Sequence, residues 1–251
     1  MILSSGCKNT RTDKPQNVLV FLKGWGNGSG GGSIYDYAAN VDASTNVRTP
    51  AFICSKLVSS NIALPGTPGD WSNTTNKCFR NITGSSAQAI YLSSALNPGS
   101  TTNNTLMCRF YVNATTSGVN HVFMFNGLSG GIGPYGGYGY FIEGSTRDLY
   151  GLSGNYTVIG PITTLSTGVW YSIALTIDGS YNWTTYLNGT QYNHGGIYIY
   201  GIVYGGLSFL GNFAGGTPSE GMNGYITDCM FASTALSSNV CLNFSNGGSI
   251  L

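Results

Sequence analysis

The chain has 251 residues, a formal net charge of +1 and only 8% charged residues, against roughly 25% in an average soluble protein. Without an excess of Lys and Arg, binding to a nucleic-acid backbone is disfavoured. A hydrophobic content of 41% and an aromatic content of 13% argue against a disordered chain. Its surface must therefore consist largely of Ser, Thr, Asn, Gly and Tyr, which is typical of extracellular, adhesive or virion proteins.

The N-terminal residues show no apolar stretch of the length that a signal peptide needs, and no later segment is long enough to span a membrane. A glycine-rich run at residues 24–33 reads as a turn-rich connection. We expect residues 1–50 to form an N-terminal arm with this connection, and residues 51–251 to form one β domain.

Short β-forming runs separated by turn residues follow one another along the chain. The clearest is Val169–Asp178, in which every second residue is apolar, as in a strand with one face on a core. It leads into Asp178-Gly179, and the next run leads into Asn188-Gly189; both dipeptides favour the positive φ of tight hairpin turns. One helical turn is expected within Thr234–Leu242. The predicted strands are Asn17–Leu22, Ala89–Leu92, Thr105–Val112, His121–Phe125, Tyr138–Glu143, Tyr156–Ile159, Val169–Asp178, Trp183–Asn188, Ile197–Val203, Leu207–Leu210 and Gly224–Phe231.

Many short strands at close spacing predict an all-β fold, namely a two-sheet antiparallel jelly-roll sandwich with an N-terminal arm. Several motifs of the second half also occur in a fixed order. They are GVWYSIALTIDG at Gly168–Gly179, YLNG at Tyr186–Gly189, Leu210-Gly211, MNGYITD at Met222–Asp228 and ALS at Ala235–Ser237.

In this order the motifs resemble the laminin-G-like domains of the concanavalin A-like lectin/glucanase superfamily, over residues 80–245. The resemblance implies a concanavalin A-like jelly roll. It leaves the function open, because this fold serves lectins, hydrolases, adhesion modules and virion proteins alike.

Six cysteines would suit three disulfides in an oxidising compartment, and free buried thiols are the alternative. Cys54 and Cys78 flank one loop-rich stretch and form one candidate pair. Cys229 and Cys241 form the other, since the resemblance implies that the family's closing strand and terminal turn pack side by side.

The superfamily's glucanases carry an E-x-D-x-x-E strand, which places an acid and a nucleophile on one face. This chain has only two glutamates, Glu143 and Glu220, and neither has such neighbours. We therefore predict no catalytic residues and that the chain is not an enzyme. Residues 131–136 spell G-x-G-x-x-G, but the following residues read as a strand, whereas a dinucleotide fingerprint requires a helix.

No cofactor and no metal site are expected. Calcium is the alternative, since many laminin-G-like domains bind it through loop oxygens. The candidate carboxylates Asp70, Asp148, Asp178 and Asp228 are isolated in sequence. We expect Asp178 to cap its turn and Asp228 to belong to the closing strand.

Carbohydrate binding would use aromatic faces that stack on sugar rings, with amide and backbone groups to fix the hydroxyls. The candidates are Trp25, Tyr135, Tyr138 and Tyr140, the last three in one glycine-rich stretch. The alternative is that these tyrosines fill strands and cover surface.

Asn-x-Ser/Thr sequons are candidate glycosylation sites. They occur at Asn27, Asn73, Asn81, Asn103, Asn113, Asn155, Asn182, Asn188 and Asn243.

The sequence favours a structural component of a many-copy extracellular or virion assembly, such as a minor capsid, cement or spike-like protein. The alternative is a carbohydrate-binding lectin module, and a polysaccharide-active enzyme is a distant third. The expected partners are other subunits of the same or a neighbouring surface protein, or glycans. The expected location is the virion surface or the extracellular space.

Overall fold

A computed structural model of the protein describes the backbone of residues 18–26, 32–36, 57–59, 77–81, 90–91, 103–127, 137–153, 157–197, 206–209, 212–214, 217–219 and 221–248. Side chains are described for residues 103–127, 137–153, 157–197, 209 and 221–248.

Seventeen strands and one helix occur in these ranges. They are β1 (Val18–Gly26), β2 (Gly32–Asp36), β3 (Leu57–Ser59), β4 (Lys77–Asn81), β5 (Ile90–Tyr91), β6 (Asn104–Ala114), β7 (Asn120–Gly127), β8 (Tyr138–Glu143), β9 (Asp148–Ser153), β10 (Thr157–Thr164), β11 (Trp170–Ile177), β12 (Asn182–Leu187), β13 (Thr190–Gly196), β14 (Gly206–Phe209), β15 (Asn212–Ala214), β16 (Thr217–Ser219), β17 (Asn223–Ala232) and α1 (Ser238–Ser245).

The strands form two main antiparallel sheets. Sheet A has nine strands in the order β13-β12-β11-β6-β17-β1-β2, with the β3–β4 pair attached to β17, and sheet B has six strands in the order β10-β9-β8-β7-β14-β5. A short β15–β16 ribbon forms a third sheet. The predicted all-β, two-sheet antiparallel sandwich is therefore confirmed. No helix in the described ranges is long and apolar enough to cross a membrane.

Strand β11 shows how the apolar pattern builds the core between the sheets. Ile173, Leu175 and Ile177 point into this core and are fully buried, as period-two alternation predicts. Val169 was expected to belong to the same buried apolar face, but it precedes the strand and is 42% exposed. The opposite face of β11 is buried as well, because Ala174 packs under helix α1.

The two predicted hairpin turns differ. Asn188 and Gly189 both adopt positive φ, 45° and 79°, and join β12 to β13 as a two-residue turn. In the β11–β12 turn, the positive φ of 62° falls on Tyr181 instead of Gly179. The wider loop follows from the capping of its backbone by the Asp178 carboxylate.

The sequence pattern missed seven of the described strands, namely β2, β3, β4, β9, β13, β15 and β16; β13 and β9 show why. Strand β13 is largely exposed at the edge of sheet A, and β9 carries two glycine or serine residues among its inward positions. Neither offers the apolar contrast on which periodicity depends.

Helix α1 begins later and ends later than the helical turn expected at Thr234–Leu242. Of the predicted strand Ile197–Val203, Ile197 follows β13 and the rest lies outside the described residues.

The first two strands belong to sheet A. β1 pairs with β17 from Val18↔Ala232 to Leu22↔Cys229, and β2 pairs with β1 from Leu22↔Asp36 to Gly26↔Gly32. Part of residues 1–50 is thus integrated into the sandwich, while a domain boundary near residue 50 stays a prediction.

The predicted disulfide between Cys229 and Cys241 is wrong, because both are free buried thiols, as is Cys108. Cys229 lies in the core between the sheets, whereas Cys241 packs with α1 against the outer face of sheet A. The sheet therefore separates the two sulfur atoms. Burial raises the pKa of Cys241 to about 12. The pair Cys54 and Cys78 lies outside the described side chains.

A buried ion pair fixes the end of α1 to sheet A. The Arg109 Nε lies 3.1 Å from the Asp228 Oδ2, and both side chains are almost fully buried. The Arg109 guanidinium also donates to the carbonyls of Gly247 (3.3 Å) and Gly248 (2.7 Å), just beyond the helix. Its Cζ lies 4.8 Å from the centre of the Phe244 ring. Arg109 thus joins three segments of the chain.

We predict that Asp228→Asn lowers the free energy of unfolding by about 3–5 kcal/mol, since it removes the carboxylate that pairs with the buried Arg109 guanidinium. Asn tolerates the positive φ of 49° at this position, so the change isolates the charge. Chemical denaturation measures the loss. The double variant Arg109→Met/Asp228→Asn should be more stable than Asp228→Asn alone; a single variant as stable as the wild type would contradict the prediction.

Candidate functional site

The predicted sugar-stacking residues Tyr138 and Tyr140 do not reach the surface. Both are fully buried between the sheets, because β8 alternates Tyr138, Tyr140 and Ile142 inward. Burial raises the pKa of both phenols above the ordinary value. This corrects the expectation that they form a surface platform. Trp25 lies opposite Ser33 in the β1–β2 pair, but its side chain and Tyr135 lie outside the described residues.

The strand β8 itself follows residues 131–136, so a strand and not a helix comes after the G-x-G-x-x-G run. The prediction that this run is not a dinucleotide fingerprint is thereby supported by its local structure.

Glu143 serves the β8–β9 turn. Its Oε2 accepts hydrogen bonds from the Thr146 backbone N–H and the Thr146 hydroxyl, both at 2.7 Å. These bonds stabilise the carboxylate and lower its pKa to about 2. A carboxyl group with this pKa is ionised at neutral pH and is unsuited to act as a general acid. Glu220 lies outside the described residues.

We predict that the Glu143 carboxyl titrates near pH 2 and that Thr146→Val raises this midpoint toward the ordinary value of 4.5. The variant removes the hydroxyl donor and leaves the backbone donor in place. Carbon-13 NMR of the side-chain carboxyl follows the titration. A wild-type midpoint at the ordinary value would contradict this assignment.

The aspartates serve structural roles where they are described. Asp178 caps its turn as predicted, accepting hydrogen bonds from Ser180 and Asn182 and thereby acquiring a lowered pKa. Asp228 lies in β17, as predicted, and pairs with Arg109. Asp148 accepts a hydrogen bond from Thr164, and Asp70 lies outside the described residues. Within the described part of the chain, no three His, Cys, Asp or Glu side chains cluster.

Three aromatic side chains lie side by side on the outer face of sheet A, the face turned away from sheet B. Trp170 of β11 pairs with Tyr111 of β6, and Tyr111 pairs with Tyr225 of β17. We call these three residues the aromatic row. Its ring centroids are 5.6 Å apart for Tyr111–Trp170 and 5.4 Å for Tyr111–Tyr225. The two tyrosines are half-buried, while Trp170 is 3% exposed.

Polar groups border the aromatic row. Asn113 donates through Nδ2 to the Asn223 Oδ1 at 3.2 Å, and each residue lies two positions from a tyrosine of the row. Within the described part of the chain, the buried Trp170 Nε1 has no hydrogen-bond partner. On the other side, Gly168 adopts a positive φ of 79° beside the Tyr111 hydroxyl. The row therefore combines aromatic faces, two amides and an unused indole donor.

Sequence reasoning missed the aromatic row because its members are distant in the chain. Tyr111 and Tyr225 were assigned to predicted strands, but their alignment depends on the register between β6 and β17. That register includes bulges at Asn223/Gly224 and at Thr227/Met230, which a pattern of alternation does not reveal. The only available signal was the two-residue spacing of Tyr111 and Asn113 and of Asn223 and Tyr225, which places each tyrosine on the same strand face as an asparagine.

The outer face of sheet B carries a different, more apolar surface. Phe141 and Tyr150 stack with their centroids 5.3 Å apart, and Leu152 and Val158 continue the surface toward the sheet edge. Val158 is 51% exposed.

Five predicted sequon asparagines lie exposed in described segments: Asn103, Asn113, Asn182, Asn188 and Asn243. The amide Nδ2 of Asn113 and that of Asn182 already donate to neighbouring side chains. Asn81 ends β4, where only backbone is described, and Asn27, Asn73 and Asn155 lie outside the described residues. Glycosylation at these asparagines stays a prediction.

No protein-family model matches the chain, and neither does any curated protein. Solved structures, by contrast, share its fold. A Trypanosoma rangeli sialidase in complex with sialic acid has a TM-score of 0.56 at 14% identity, over 93% of this chain and 34% of the sialidase. The chain therefore spans about a third of that enzyme.

Two further likenesses concern separate domains. Domain 4 of an extracellular arabinanase from Geobacillus stearothermophilus, in complex with arabinotriose, has a TM-score of 0.53 at 14% identity, over 84% of this chain and 91% of the domain. The binding domain of Paraclostridial Mosquitocidal Protein 1 has a TM-score of 0.54 at 15% identity, over 89% of this chain and 50% of that one. At such identities the likeness concerns the fold.

These likenesses correct the prediction that the chain is not an enzyme, because sialidases and an arabinanase contain this fold. The fold is thus related to domains of carbohydrate-active enzymes. The likenesses also fit the lectin alternative better than the assembly hypothesis, and they give no support to a virion role.

Proposed function

We propose that the chain is a carbohydrate-binding β-sandwich and that the aromatic row is its binding surface. The observation that carries the proposal is the alignment of Trp170, Tyr111 and Tyr225 across three neighbouring strands, bordered by the Asn113–Asn223 amide pair. Aromatic rings cover the apolar faces of sugar rings, and amides hydrogen-bond the hydroxyl groups.

The physical chemistry of the row suits a partly polar, partly apolar ligand. Tyrosine presents an apolar ring and a hydroxyl, and only two side-chain torsions are ordered when it binds. The buried indole N–H of Trp170 has no acceptor among the described residues, and such a group costs about 1–3 kcal/mol. A ligand hydroxyl that reaches it after a small shift of the tyrosine rings would recover part of this cost.

The comparisons support the same proposal. The arabinanase domain matches this chain over most of its own length, and it was solved with arabinotriose.

We further propose that the sandwich belongs to the concanavalin A-like superfamily as a laminin-G-like domain. The order of the motifs from Gly168 to Ser237 supports this finer assignment, as does the confirmed two-sheet architecture.

The test is calorimetric titration with arabinotriose, a β-glucan oligosaccharide and sialic acid. For any sugar that binds, Tyr111→Ala and Tyr225→Ala should each weaken binding by at least about 2 kcal/mol, which is roughly 30-fold in Kd. The matched control is Tyr150→Ala, a half-buried tyrosine on the other sheet. Its affinity should equal that of the wild type.

Two results would contradict the proposal. One is the absence of binding to every sugar of a broad glycan array. The other is a loss of binding in Tyr150→Ala that Tyr111→Ala does not show, since this would place the ligand on sheet B.

A further inference from the structure

A chain of hydrogen bonds runs from the core to the edge of sheet A. The Trp183 Nε1–H donates to the Tyr140 hydroxyl at 3.4 Å. The Tyr140 hydroxyl lies 2.7 Å from the Thr185 Oγ1, which in turn lies 3.0 Å from the His194 Nε2. Trp183, Tyr140 and Thr185 are fully buried, whereas His194 on the edge strand β13 is half-buried. The chain therefore connects a titratable surface group to the centre of the sandwich.

The number of protons shared by the four groups of this hydrogen-bond chain determines which tautomer His194 adopts. Three contacts join the four groups, and each contact accommodates one proton. Trp183, Tyr140 and Thr185 supply one proton each. Every proton of these groups lies in one of the three contacts only if Trp183 donates to Tyr140, Tyr140 to Thr185, and Thr185 to an unprotonated Nε2 of His194. Neutral His194 must then carry its proton on Nδ1.

Protonation of the His194 Nε2 adds a fourth proton to the three contacts. Thr185 must then accept from the imidazolium, so either the Thr185 or the Tyr140 hydroxyl proton has no acceptor among these four groups. A buried polar group without a partner costs about 1–3 kcal/mol. Protonation thus leaves an unsatisfied donor in the core, beside Trp183.

Among the described residues, the groups that face His194 carry no compensating charge. Its facing strand β12 contributes Trp183 and Thr185, Tyr140 approaches from sheet B, and Tyr192 is the nearest titratable residue on β13. Asp178, in the neighbouring β11–β12 turn, is occupied by Ser180 and Asn182. Helix α1, which also packs near β13, has the sequence SNVCLNFS and no charged residue.

We propose that this hydrogen-bond chain makes the β12–β13 hairpin an acid-sensitive element of the sandwich. Neutral His194, protonated on Nδ1, holds β13 against the core, and protonation of Nε2 loosens it. This inference is independent of the carbohydrate proposal, since the hairpin shares no residue with the aromatic row.

The direction of the pH dependence follows from linkage. Burial lowers the pKa of His194 below its ordinary value of 6.5. Between this lowered pKa and pH 6.5, the unfolded chain therefore binds a proton that the folded chain does not. Stability contributed by neutral His194 is complete above pH 6.5 and is lost progressively as the pH falls toward the folded-state pKa.

The first experiment identifies the tautomer by nitrogen-15 NMR of the two histidine rings at a pH where both are neutral. His194 should show an unprotonated Nε2 and a protonated Nδ1. His121 is an internal reference, because its Nε2 accepts the Thr116 N–H and its Nδ1 faces the Gly221 carbonyl. In Thr185→Val, His194 should lose its preference for the Nδ1–H form. A wild-type His194 protonated on Nε2 would overturn the proposal.

The second experiment is amide hydrogen exchange of β13, above and below pH 6.5, in the wild type and in His194→Gln. The Gln side-chain carbonyl can accept a hydrogen bond from Thr185 and does not titrate. The variant therefore keeps the hydrogen-bond chain and removes its response to pH. Wild-type protection factors in β13 should fall in acid while those of β6 do not, and the variant should show no such fall. Equal protection of wild-type β13 at both pH values would overturn the proposal, as would an equal fall in the variant.

Discussion

A buried charge pair determines how much of the outer face of sheet A is covered by helix α1. Arg109 of β6 is neutralised by Asp228 of β17 and also donates to the carbonyls that follow helix α1. A charge at this depth is tolerated only when it is paired and hydrogen-bonded. The helix end must therefore stay where its carbonyls meet the guanidinium.

This restraint divides the outer face of sheet A into two parts. On one side, α1 covers Met107, Ala174 and Met230, and the Tyr186 hydroxyl donates to the Ser238 hydroxyl of the helix. On the other side of Arg109, the next outward residue of β6 is Tyr111, where the aromatic row begins. The Arg109–Asp228 pair thus holds helix α1 away from the aromatic row and leaves its two tyrosines half-buried. In this account the proposed function depends on where α1 ends.

The sequence predicted the parts of the fold that rest on local apolar contrast. Strand β11 was identified because Ile173, Leu175 and Ile177 alternate with smaller or polar residues, and the Asn188-Gly189 turn because of its backbone preference. For Tyr138 and Tyr140 the alternative that they fill a strand is the correct one, and the sugar-binding alternative is wrong; a tyrosine in a glycine-rich stretch does not reveal which sheet face it will occupy. The aromatic row and the Arg109–Asp228 pair were beyond prediction, since both depend on the bulged register between β6 and β17. The cysteine pairing failed for a related reason: α1 packs on the outer face of sheet A, whereas Cys229 points inward.

The most direct test of the central claim is a nitrogen-15 chemical-shift map of the full chain during titration with a sugar that it binds. We expect the largest shifts to cluster at Tyr111, Asn113, Trp170, Asn223 and Tyr225, including the indole N–H of Trp170, and β8 to β10 to change little. Shifts concentrated around Phe141, Tyr150 and Val158 on sheet B, with an unchanged Trp170 indole, would contradict it.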